Sequence, residues 1–145
     1  MTWLLALRPL AGIAAIFGAV MLALGLLVAN DVELAVVPAP ETEAESLVRA
    51  LKARRFNAVK GELTESLKQE VQEDQLKQLF EAVRAAHKGI SDAHGEEAQK
   101  EGNRATAAVK VKLEDKTEET IELPLEKEHG LWRVASLEPL GRLTR

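Results

Sequence analysis

The chain has no cysteine and no tyrosine, and its aromatic residues are three Phe and two Trp among 145 residues. Without cysteine there is no disulfide, no thiolate metal site, no cysteine nucleophile and no lipidated N-terminal cysteine. Beyond residue 40 the aromatics reduce to Phe56, Phe80 and Trp132, so the basic residues Arg104, Lys110 and Lys112 have no interleaved stacking platform, and nucleic acid is not an expected partner. A glycine-rich phosphate loop, a nucleophile elbow and a zinc-protease helix are missing too. His87, His94 and His129 lack the spacing of metal ligands, so neither metal nor cofactor is expected. Charge of one sign is also scarce. Of 19 basic and 23 acidic residues only Arg8, Asp31 and Glu33 precede Glu41, and the net charge of −4 is spread thinly. Such a surface is solvated without selecting an anionic or cationic partner.

Where charge is absent altogether, the sequence is most informative. Leu10 to Ala29 is a run of twenty uncharged residues, and at about 1.5 Å per helical residue it reaches roughly 30 Å, the thickness of a bilayer's hydrocarbon core. It is longer than the run of about 7 to 15 apolar residues in a signal peptide, and no good small-x-small cleavage site follows it. An uncleaved single-pass anchor is the expectation. Arg8 and the amino terminus favour the cytoplasm, and no Lys or Arg recurs before Arg49, which places the rest of the chain outside the cytoplasmic membrane. Within the run Ala11, Ala15, Ala19 and Ala23 recur every fourth residue, with Gly18 and Gly25 beside them. That spacing suits close packing against another membrane helix, although alanine is common in membrane spans of any kind. The lipid bilayer and integral membrane subunits are the partners this segment implies.

Three regions follow: an anchor over 1–29, an extended tether over 30–41 stiffened by Pro38 and Pro40, and a domain over 42–145. Thr42 and Glu45 have capping-box spacing, and Ala44, Leu47, Val48 and Leu51 then mark one helical face ending near Arg55. A less regular helix is expected from Asn57 to Leu67, weakened by Gly61. After Glu73 and Asp74, Leu76, Leu79, Phe80 and Val83 form the strongest stripe, stopped at Gly89. His87 falls near the end of that stripe, where the helix dipole favours a partly buried imidazole.

Beyond Gly89 the period changes from helical to alternating. Ile90 to Gln99 reads as a polar strand, Gly102-Asn103 as a hairpin turn, and Ala105, Ala107, Val109, Val111 and Leu113 as the inward face of a second strand. Ile121, Leu123 and Leu125 repeat the alternation, and His129-Gly130 turns the chain into Leu131–Val134. Helices first and an antiparallel meander last make an α+β domain with helices on one face of a curved sheet. The tail from Leu140 to Arg145 carries two leucines, suited to docking on a partner or to fraying.

The run "LVRALKARRFNAVKGEL", the long helix after it and the hairpins closing on "IELPLEKEHGLWRV" resemble the nuclear transport factor 2-like superfamily, in its small bacterial membrane-anchored extracytoplasmic form. The resemblance covers Thr42 to Leu137 and is plainest from Leu123 to Val134. It implies a cystatin-like cone of helices on a curved antiparallel sheet. Because that superfamily includes enzymes, binding modules and non-catalytic subunits, the fold does not name a function. Its enzymes use Asp, His and Tyr side chains inside the cone. Here Asp92 and His94, on one side of the first strand, are the nearest match, and with Phe80 and Trp132 they outline the one pocket the sequence suggests. Their plainer reading is a solvated edge strand. The expectation is therefore a non-catalytic accessory subunit of a larger membrane complex, photosynthetic, respiratory or of the cell envelope. The alternative is a tethered domain binding a small hydrophobic ligand, with enzyme activity third.

Overall fold

The computed structural model describes residues 37–145. The proposed anchor over Leu10–Ala29, its small-residue row of Ala11, Ala15, Gly18, Ala19, Ala23 and Gly25, and most of the tether lie outside the described residues. Among the described residues no helix is long and apolar enough to cross a membrane.

Helix α1, Pro40–Lys52, starts two residues before the expected capping box. Pro40 occupies the first turn, where its fixed φ suits a helix and its missing N–H costs nothing, and Ala39 is the N-cap with no side-chain cap. Thr42 is therefore already helical, and the tether gives up its last residues to the helix. Ala44, Leu47, Val48 and Leu51 are fully buried, the i, i+3, i+4, i+7 stripe read from the sequence. At the other end Arg54 adopts φ 61°. Its amide bonds Leu51 O, and the Arg55 amide bonds Ala50 O, a Schellman stop in which arginine takes the place usually given to glycine.

The irregular helix expected over Asn57–Leu67 is two helices, α2 at Phe56–Gly61 and α3 at Glu65–Glu70. A backbone pairing splits them. Val134 N–H donates to Glu62 O at 2.7 Å and Thr64 N–H donates to Val134 O at 3.0 Å, so Leu63 forms a parallel bridge with Val134. Thr64 then caps α3 by accepting from the Leu67 amide. Helix α4, Glu73–His87, ends at Lys88 in the left-handed region, and Gly89 follows at φ 124°, a conformation that suits glycine.

Four antiparallel strands follow in the order β1-β2-β3-β4: β1 Ile90–Glu101, β2 Arg104–Leu113, β3 Glu118–Glu128 and β4 Leu131–Val134. The inward residues of β2 and β3 are those of the alternation, Ala105 to Leu113 and Ile121 to Leu125. Strand β1 departs from it, since the register slips between Ile90 and Asp92 and again between Gly95 and Glu97. These bulges bend the strand and curl the sheet around the helices. Pro124 sits where the β4 ladder ends: its carbonyl accepts from Ala135 N–H just past β4, and the amide it lacks faces the same side.

Pro38–Arg145 forms one compact unit. Its core joins α1, α2 and α4 to the inner face of the sheet. The tail neither frays nor waits for a partner, because Glu138–Thr144 forms a 3-10 helix whose Leu140 and Leu143 are fully buried. It packs on α4 and β3.

Candidate functional site

Asp92 and His94 do share one side of β1, as the alternation requires, but that side faces away from the core. Their cross-strand partners are Lys112 and Lys110, both on the outward face of β2. Arg49 of α1 reaches around the border of the sheet to Asp92 Oδ1 at 3.3 Å and donates to Ala93 O at 2.8 Å. One turn earlier, Glu45 accepts from the Gly95 amide at 2.8 Å and lies 3.7 Å from His94 Nδ1. The path of α1 is close enough that a Cβ on Gly95 would run into Glu41 O.

Together Arg49, Asp92, His94, Glu96, Lys110 and Lys112 line an open depression of about 280 Å³. The Ala93 amide holds the Asp92 carboxyl below the usual carboxylate value, with Arg49, Lys52 and Lys112 adding to it. A carboxylate so held gives up a proton too readily to serve as a general acid near neutral pH. His94 has 72% of its side chain exposed. The pair is a paired, solvated surface feature in form.

The other two residues of the expected pocket are elsewhere. Phe80 packs edge-on against Phe56, ring centroids 6.3 Å apart at 81°, and the Arg54 guanidinium lies over it at 5.1 Å. Trp132 is buried at the inner face of β4, and Lys127, its cross-strand partner, covers its ring at 5.3 Å. Leu76 and Val83 of α4, Ile121 and Leu123 of β3 and Leu140 of the tail belong to one buried core and are all essentially without solvent exposure.

Two clusters escaped the sequence reading. The first joins Glu43 of α1 to Glu62 beyond α2. Burial raises the Glu62 carboxyl to about 8, and the adjacent Glu43 side chain, hydrogen-bonded to it and like in charge, adds to the rise while Arg133 opposes it. Glu62 Oε1 is sealed from solvent without a partner, and Arg133 is turned instead to Gly61 O at 2.8 Å. Burial and the neighbouring Glu43 thus both favour the protonated form of Glu62, an acid set in the wall of the domain. In sequence both residues were two charges among many.

The second cluster is centred on His87. Its Nδ1 lies 2.7 Å from Asp115 Oδ2 and its Nε2 lies 2.7 Å from Arg145 O. Thr117 donates from its hydroxyl to the other Asp115 oxygen at 2.5 Å. The hydroxyl and the carboxylate both sit on the Nδ1 side, so this is not a base relaying between an acid and a nucleophile. Hydrogen bonds from Thr117 and His87 hold Asp115 down to about 2. The dipole argument foresaw a partly buried His87, but the turn and tail that meet it are distant in sequence.

No family model matches the sequence, and neither does any curated protein. Among solved structures the chain is similar to a proposed NTF2-like transpeptidase from Campylobacter jejuni, at 18% identity and a TM-score of 0.55, over 68% of this chain and 99% of that one. It is also similar to a SEC-C motif containing protein from Rhodopseudomonas palustris, at 14% identity and a TM-score of 0.52, over 68% of this chain and 76% of that one. Likeness at such identities is a likeness of fold, not of site. The described residues therefore have a nuclear transport factor 2-like fold, α+β, with helices laid on a curled antiparallel sheet.

Proposed function

We propose that this chain is a non-catalytic, single-pass accessory subunit of a larger complex in a bacterial cytoplasmic membrane. In this reading Leu10–Ala29 is an uncleaved anchor with its amino terminus in the cytoplasm, and the folded domain makes protein contacts on the outer side. The observation that carries it is the packed interior: apolar side chains of α4, the sheet and the tail occupy the place where an open cone would seat a small molecule. A domain filled in this way works through its surface. The Asp92–His94 pair, engaged by Arg49 and Glu45 at the sheet border, favours the same reading over chemistry at that strand. The small-residue row Ala11, Ala15, Gly18, Ala19, Ala23 and Gly25 supplies the seam by which the anchor would pack into its complex.

The test is mild detergent extraction of native membranes, capture of the chain, and mass spectrometry of what co-purifies. The expected result is a stoichiometric set of integral membrane subunits, lost when Ala15, Gly18 and Ala19 are replaced by Leu or Phe. Recovery of the chain alone, as monomer or homodimer, overturns the proposal.

A further inference from the structure

The clasp around His87 joins three parts of the fold that are remote in sequence: the end of α4, the β2–β3 turn and the tail. Both acceptors facing the ring are bare of hydrogen. Asp115 Oδ2 is a carboxylate oxygen and Arg145 O is a main-chain oxygen, each 2.7 Å from a ring nitrogen. A short contact from nitrogen to such an oxygen requires an N–H between them. A neutral imidazole has one N–H and the clasp uses two, so the geometry calls for the imidazolium. With 14% of its side chain exposed, the ring cannot turn to water without breaking both bonds.

We propose that the His87 imidazolium is a pH-sensitive latch that holds the C-terminal 3-10 helix against the body of the domain. The latch closes over a hydrophobic contact, since Leu140 and Leu143 are fully buried against α4 and β3. Loss of one ring proton places a nitrogen lone pair against an oxygen lone pair at one of the two contacts, and the tail loses its polar fastening. The groups facing the ring are Asp115 and Thr117 from the β2–β3 turn, Glu119 from β3 and Arg145 from the tail. Glu119 is itself paired with Arg142 of the tail at 3.3 Å, a second fastening of the tail to β3. The hydrogen bond to Asp115 is the largest influence holding the His87 pKa above its ordinary 6.5, with the Arg145 oxygen and the two acidic charges adding to it against partial burial. The sign follows from linkage: a raised imidazole pKa gives stability that is whole below 6.5 and is lost as pH rises through the raised value. Asp115 sets the opposite limit, because its contribution is present above 3.8 and fades as pH falls toward about 2.

The experiment follows the ring carbons of His87 and the methyl groups of Leu140 and Leu143 by NMR in the full chain across pH, with Leu47 methyls as a core reference. His87 is expected to titrate above 6.5, and the Leu140 and Leu143 methyls to shift with the same midpoint while Leu47 stays still. Asp115→Asn should move both midpoints down together, and repeating the titration in Glu62→Gln keeps that acid's alkaline ionisation out of the curve. A His87 that titrates at or below 6.5 overturns the proposal. So does one that titrates without moving the two leucines.

Discussion

Single residues decide how the domain closes. Gly95 is the clearest, because the Glu41 carbonyl occupies the space a side chain would need. Gly95→Ala is expected to push α1 off β1 and destabilise the fold by about 1–3 kcal/mol, measured by urea titration against Gly141→Ala, whose Cβ meets nothing. In the sequence Gly95 is one small residue in a polar strand, and the reason for it is a helix fifty residues earlier. Glu62 acts in the opposite sense. With its carboxyl raised to about 8, the folded state holds a proton the unfolded chain releases above about 4.5, so stability falls as pH rises between those values. Glu62→Gln keeps the shape without the charge. It is expected to stabilise the protein by about 1 kcal/mol at pH 8, after allowance for solvent screening, and to flatten the dependence on pH above 4.5. Thr42 shows how a local signal misleads: its capping-box spacing is real, but Pro40 starts the helix first.

At the scale of elements, legibility tracks the range of the interactions. Helix α4 and strands β2 and β3 were readable because burial on one face writes a period of 3.6 or 2 into the residues themselves. The break between α2 and α3 was not, since Leu63 leaves the helix to pair with Val134 near the end of the chain, and no local propensity records a partner that distant. The tail illustrates the same gap. Leu140 and Leu143 read as a sticky end, yet they complete the core from which the chain set out. Leu143→Ala should cost about 2–5 kcal/mol, far more than a docking tail would, and thermal melting of the variant measures it.

At the scale of the molecule, the described unit carries its own core from α1 to the tail. A fragment spanning 38–145 is expected to fold alone and to unfold in one cooperative step. Trp132 would be its single tryptophan, and its buried ring should report the same midpoint by fluorescence as the helices do by circular dichroism. Separate midpoints would show that the tail or the long hairpin melts apart from the rest. The candidate site was least legible here: the sequence supplied Asp92, His94, Phe80 and Trp132, whereas the curl of the sheet decided that they face different surroundings.

The borders of the sheet have a consequence for crowding. Along β1, Arg49 and Glu45 occupy the free carbonyl of Ala93 and amide of Gly95, and the stretch beyond carries Glu96, Glu97, Lys100 and Glu101. On the far side β4 has four residues, and Glu62 and Thr64 already bond Val134 there. Among the described residues, the occupied positions and charged stretch of β1 and the shortness of β4 both disfavour the edge pairing from which identical chains nucleate cross-β stacks. Many copies confined side by side are thus expected to resist strand pairing at these two margins, which favours contacts made through side chains over contacts made through shared strands.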